Sequence, residues 1–280
     1  MWSAPNLKAV SAAPMPRSQP LSPIRRRSLP ARRALAFGVA GLAALLGGAL
    51  PGVAAAGPSA AQLQALEAAL NGTGELAAVL ENGPGLDVTL VELRRRSLVR
   101  QFPDARWQLS PGKALRDGRS TVQLQVTGSR QDGSTLYRLL AQQQLVLSSS
   151  GGPGGRINGQ SVIREQALLR SGEADLPVRL QIPDAVLTGQ RYDVDVLFDE
   201  PLEGAIAAGG LVALTGQQVN ALESPDLQLG ALGGGGLFKS VQAPFTPGSQ
   251  TWAVLLVHPK GIVSATKRVL VVADKAQLNP

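Results

Sequence analysis

The eight residues Arg191 to Phe198 read RYDVDVLF, with Tyr192, Val194, Val196 and Phe198 alternating against Asp193 and Asp195 before Asp199. A period of two gives a strand with one apolar and one wet face, and the apolar face demands a second layer to cover it. Upstream, Val178 to Ile182 reads as its partner strand, joined through the Gly-containing turn at Leu187 to Gln190. Further strands are expected at Leu211 to Leu214, Leu237 to Gln242, Thr251 to His258 and Ile262 to Val272. Turn signals separate them at Pro183-Asp184, Gly209-Gly210, Gly233 to Gly236, Pro247-Gly248 and Pro259-Lys260-Gly261, the spacing of a β-sandwich. These strands predict an all-β domain over 174–273, with 274–280 as a tail.

Before this lies a differently patterned stretch, 57–173. Ser59 caps a run, AAQLQALEAAL, in which Leu63, Leu66 and Leu70 recur at helical spacing and Asn71-Gly72 ends the helix. That reading also accounts for the sequon Asn71-Gly72-Thr73. A second helix is expected over Glu75 to Leu80, and beyond Pro84 the pattern is expected to turn to strand alternation. A strand holds Arg106 to Leu109; another, Thr121 to Thr127, has Val122, Leu124 and Val126 on one face, and Gln131 to Ser134 turns the chain. Long strands follow to about Ser148 and from Arg156 to Leu169. The prediction is a helix-first α+β unit (helix plus curved antiparallel sheet), followed by the sandwich.

The element order of Ala60 to Gly172, with its turn at Asp132-Gly133, resembles the cystatin-like and nuclear-transport-factor-2-like architectures. Enzymes of the second kind use carboxylates or histidines in the concave cavity of the sheet; Asp104 and Asp117 instead fall in loops here. Ile182 to Phe198 is similar to the first hairpin of bacterial immunoglobulin-like modules. Trp252, the Pro259-Lys260-Gly261 turn and the last strand are similar to their closing hairpin. The resemblance implies an immunoglobulin-like sandwich, outside the disulfide-bearing antibody subset because the chain has no cysteine.

The net charge of +7 would ordinarily point to nucleic acid or an anionic surface. Its position argues otherwise. Lys8, Arg17, Arg25, Arg26, Arg27, Arg32 and Arg33 all precede residue 57 with no acid among them, and the remaining 20 basic residues balance 20 acidic ones. That basic segment runs into the uncharged Ala34 to Leu50 and then Ala54-x-Ala56, the order of a signal peptide with cleavage at 56/57. Residues 1–56 are therefore expected to export the chain to a periplasm or thylakoid lumen, leaving no stable membrane insertion. The alternative is an uncleaved N-terminal anchor, although seventeen residues fall short of the roughly 20 a spanning helix needs. Arg26-Arg27-Ser28-Leu29 and Arg32-Arg33-Ala34-Leu35 resemble the twin-arginine motif, which leaves the export route open. The Ala, Gly, Leu and Arg usage is similar to that of uncharacterised exported proteins of cyanobacteria.

Chemistry-bearing patterns are few. His258 is the sole histidine, too little for a zinc site or for a base with a nucleophile and an orienting partner. Asp193, Asp195, Asp199 and Glu200, with Glu203 beyond, offer oxygen ligands for calcium but lack a calcium loop, and a solvated strand face explains them. Arg94, Arg95, Arg96 and Arg100 form the one basic cluster after residue 57, a candidate anion patch that a solvated face or charged sheet edge also explains. No catalytic residue, cofactor or nucleic-acid partner is assigned. The expectation is a non-catalytic exported protein, binding or positioning a protein or other component of the bacterial envelope. The competing expectations are a small-molecule carrier or enzyme with a cavity in the first unit, and a structural subunit of an envelope assembly.

Overall fold

The computed structural model describes residues 57–150, 155–172, 176–198, 207–221, 225–232 and 235–278. The expected export segment, 1–56, lies outside them. Three helices come first: α1 (Ala60–Leu70), α2 (Leu76–Val79) and α3 (Val88–Gln101). Ser59 and Gln62 form a reciprocal capping box at the start of α1, satisfying two backbone donors the helix cannot. Asp87 Oδ1 accepts from Leu90 N at 3.0 Å to cap α3.

Helix α3 replaces the strand alternation expected after Pro84. Val91, Arg94 and Leu98 face inward from it, at positions i, i+3 and i+7 of one helical face. An arginine in the middle of that stripe hides the apolar period that would otherwise announce the helix.

The strands are β1 (Arg106–Pro111), β2 (Val122–Asp132), β3 (Thr135–Ser149), β4 (Ile157–Ser171), β5 (Val178–Gln181), β6 (Ala185–Leu187), β7 (Arg191–Phe198) and β8 (Ala208–Leu214). A short helix α4 (Gly216–Ala221) precedes β9 (Gly230–Ala231), β10 (Gly236–Gln242), β11 (Gly248–His258) and β12 (Gly261–Val272). Sheet dominates and helices are few. One nine-stranded sheet runs β1-β2-β3-β4-β12-β11-β8-β9, with β6 joining β12 in parallel; a second, three-stranded sheet runs β10-β7-β5.

The large sheet crosses the middle of the chain without a break. Gln166 to Ser171 of β4 pair antiparallel with Ile262 to Lys267 of β12, so the sheet of the first half continues into strands of the second. The helices and the small sheet line different cores. Trp107, Val126, Leu139 and Ala167 bury with Leu66, Val91 and Leu98 of the helices. The small sheet contributes Val178, Val196 and Phe198 to one core with Val254, Leu256, Val263 and Ala265, and Tyr192 and Val194 to another with Trp252, Val269 and Val271. Register explains the exchange: β7 turns Tyr192, Val194, Val196 and Phe198 inward, as its alternation predicts.

The hairpin expected around Gly189 carries a detour. β5 does pair with β7, Val178 opposite Phe198, but between them the chain crosses to lay β6 along β12 in the other sheet. The turn closes with Gln190 N donating to Leu187 O at 3.1 Å. Gly189 sits at φ +69°, a backbone conformation that favours glycine.

The outer edge of β1 is sealed by side chains of the first helix. Asn71 Nδ2 donates to Trp107 O at 2.8 Å, Asn71 Oδ1 accepts from Trp107 N at 3.1 Å, and Glu67 Oε2 accepts from Leu109 N at 2.6 Å. A strand edge left open recruits other chains; here the amide of Asn71 imitates a neighbouring strand. Asn71→Ala should therefore cost about 1–3 kcal/mol through the two orphaned Trp107 groups, read from urea denaturation, and should promote concentration-dependent association in sedimentation. Unchanged stability would show that water replaces the amide without penalty.

Candidate functional site

Two places gather polar chemistry. The first is enclosed between α3 and the sheet. Arg94 is 2% exposed and Glu165, on β4, 6%; Gln143 on β3 donates from Nε2 to Glu165 Oε1 at 3.0 Å. Arg268 of β12 lies 3.8 Å from Glu165 Oε2 through Nη1, and Arg94 Nη2 reaches Asn220 Oδ1 of α4 at 3.4 Å. Helix, both parts of the large sheet and α4 thus meet at one charged knot. Burial holds the Arg94 guanidinium down to about 10, with Glu165 and Asp87 pulling it back up, and it stays protonated at neutral pH. Arg94 Nε and Gln143 Oε1 are buried without a hydrogen-bond partner. A substrate would have to displace packed side chains to reach this carboxylate.

Desolvation raises the Glu165 carboxyl above its ordinary value, against Arg268, the Gln143 hydrogen bond and Arg94, which all lower it. An acid raised in the folded state contributes stability below its unfolded pKa and loses it as pH climbs through the folded value. Glu165→Gln keeps an acceptor for Gln143, so the variant should gain stability relative to the wild type as pH rises from about 4.5. Glu92, Asp104 and Asp117, whose hydrogen bonds shift them downward, act in the opposite sense and cancel in that difference. Melting temperatures of the two proteins across pH test this; a gap that closes as pH rises would reverse the sign.

The second place is the opposite face of β1 to β4. Register aligns Gln108 with Gln125, Gln125 with Gln142, Gln142 with Gln166 and Gln166 with Lys267. Gln142 Nε2 donates to Gln125 Oε1 at 3.4 Å and Gln166 Nε2 to Gln142 Oε1 at 3.0 Å, so the amides form a ladder across adjacent strands. A cleft of about 490 Å³ opens beside it, lined by Glu67, Gln108, Leu109, Ser110, Gln123, Leu124, Gln125 and Gln142. At the far end Asp184 holds Lys267 and, at 2.9 Å, Arg164.

The residues singled out from sequence are dispersed. Arg94 points inward, Arg95 pairs with Glu92 at 2.9 Å, Arg96 pairs with the same carboxylate, and Arg100 is exposed. Arg94 is thus turned away from Arg95, Arg96 and Arg100, which lie on the outer side of α3. Asp193 is exposed and Asp195 half-buried on β7, opposite Ser240 and Phe238 of β10; Asp199 and Glu200 fall outside the described residues. Among the described residues no three His, Cys, Asp or Glu side chains come together as a metal site. His258 is buried, its Nδ1 accepting from Lys260 N at 3.2 Å and its ring 5.4 Å from that of Phe198. The four glutamines passed unnoticed in the sequence as ordinary wet-face residues.

Residues 173–272 match the family described as a domain of unknown function (DUF8623). No curated protein matches the chain. Among the described residues no helix is long and apolar enough to cross a membrane.

Proposed function

We propose that the chain is an exported, non-catalytic binding or scaffold protein of the bacterial envelope, and that the amide-lined face of β1 to β4 engages its partner. The observation that carries this reading is the row of Gln108, Gln125, Gln142 and Gln166, the last three hydrogen-bonded to one another, beside the 490 Å³ cleft. Convergent polar groups beside a concavity are where binding is to be sought first. Export rests on the apolar Ala34 to Leu50 and the Ala54-x-Ala56 site. The fold we read as a cystatin-like or nuclear-transport-factor-2-like unit followed by an immunoglobulin-like sandwich. Helices preceding a four-stranded meander support the first part, and the cores that β5 and β7 share with β11 and β12 the second.

The carrier or enzyme reading keeps one specific observation in its favour, the buried titratable Glu165 between Arg94 and Arg268. The test compares retention of the expressed protein in envelope fractions of a bacterial host. Loss in Gln125→Ala/Gln142→Ala, with retention in Glu165→Gln, supports the binding face. The reverse pattern moves the function to the buried carboxylate. Mass spectrometry of the recovered chain should show Gly57 as its first residue; recovery with Ala34 to Leu50 still attached, partitioning with membranes, would mean an anchor.

A further inference from the structure

We propose that the occupant of the amide face is a neutral, hydroxyl-rich glycan chain, an inference that rests on that face being the binding surface. The four glutamines stand on adjacent strands, so the row extends about 14 Å at the usual strand spacing. A primary amide carries two N–H donors and an oxygen with two lone pairs. The hydrogen bonds from Gln142 to Gln125 and from Gln166 to Gln142 use one donor of each donating amide and one lone pair of each acceptor. One donor and one lone pair therefore remain on Gln142, at the centre of the row. The ladder holds the amides in a common orientation before a ligand arrives, which removes part of the ordering cost of binding.

Donor and acceptor side by side, repeated along a row, is the complement of a hydroxyl, which is itself both. Charge narrows the class further. The cleft lining contains no lysine or arginine and one carboxylate, Glu67, which disfavours phosphate, sulfate or uronate polymers. At the far end of the row Asp184 occupies Lys267 and Arg164. An added peptide strand is disfavoured at this end of the sheet, because Asn71 and Glu67 already occupy the β1 edge. The lining has no aromatic side chain, so affinity should grow with chain length instead of residing in one stacked ring.

The test is titration of the purified full chain, followed by the side-chain amide signals of its glutamines in nuclear magnetic resonance. The probes are neutral hexasaccharides of glucose and of N-acetylglucosamine, a uronate hexasaccharide and a glutamine-rich peptide. The expected result is that a neutral hexamer shifts the Gln108, Gln125, Gln142 and Gln166 signals and that the dimer of the same sugar binds at least tenfold more weakly. High salt should leave the affinity unchanged. Gln125→Ala/Gln142→Ala should weaken binding tenfold or more, whereas Asp193→Ala on the other sheet should not. Because the wild-type shifts locate the ligand by themselves, the outcome stands even if the double variant folds poorly. Binding of the uronate or the peptide in preference, self-association through the face, or no shift with either neutral hexamer overturns the glycan. If the glycan fails while the double variant still loses envelope retention, the binding face stands without it; if retention is also unaffected, both readings fall.

Discussion

Tyr192→Ala is expected to destabilise the protein by about 3–5 kcal/mol, the range for deleting a buried aromatic side chain, measured by urea denaturation. Tyr192 is 6% exposed in the core it shares with Trp252, Val269 and Val271. Its hydroxyl accepts from Trp252 Nε1 at 3.0 Å and donates to Gln250 Oε1 at 2.6 Å, and burial raises it above the ordinary tyrosine value. Tyr192→Phe separates the two contributions. It retains the ring and orphans the Trp252 donor, for about 1–3 kcal/mol. Phe198→Ala should fall in the same range as Tyr192→Ala, since Phe198 fills the neighbouring core. Asp193→Ala, one residue along on the exposed side of the same strand, should change stability by no more than about 0.5 kcal/mol. An aspartate effect as large as the aromatic one, with calcium raising the wild-type melting temperature, would instead establish an ion site on β7.

Arg94→Ala is the second large effect, at about 3–5 kcal/mol, because removing one partner of a buried charged group leaves the other uncompensated. Glu165 would retain Arg268 at 3.8 Å but lose the cation above it, and the contact from α3 to Asn220 would go as well. The carboxylate is the reason for the cost, so removing its charge while keeping an oxygen for Arg268 and Gln143 should recover part of it. Arg94→Ala/Glu165→Gln is expected to be more stable than Arg94→Ala alone, because no buried carboxylate is left short of a cation. A double variant no better than Arg94→Ala alone would show that the arginine acts through packing of its stem. The same knot predicts how the halves communicate: Arg94 and Glu165 come from the first half, Arg268 and Asn220 from the second.

Expression of residues 174–280 alone probes that connection from the other side. Pairing with β4 satisfies the β12 edge from Ile262 to Lys267, so the fragment exposes six residues of strand edge and should self-associate where the full chain does not. A monomeric, cooperatively melting fragment would show that the second half covers this edge on its own.

The sequence by itself determined the local elements whose period is carried by apolar residues. The β7 alternation, the Ser59 cap and Leu66 to Leu70 face of α1, the β2 to β3 turn and the closing β11 to β12 hairpin are all set by residues within a few positions of one another. Side-chain direction follows from backbone period, so these were legible. Helix α3 was not, because its inward stripe includes Arg94, whose burial depends on Glu165, 71 positions away in the chain. The tertiary structure alone decided three things. It carried the large sheet through β4 and β12, strands whose partners are remote in sequence; it sent β6 across to the other sheet in the middle of a hairpin; and it brought Gln108, Gln125, Gln142 and Gln166 into one row. Each glutamine was readable as a wet-face residue of its own strand. Which of them stand side by side is fixed by register, and register is set by turns, bulges and the burial of the opposite face, quantities that belong to pairs of strands and not to any one of them.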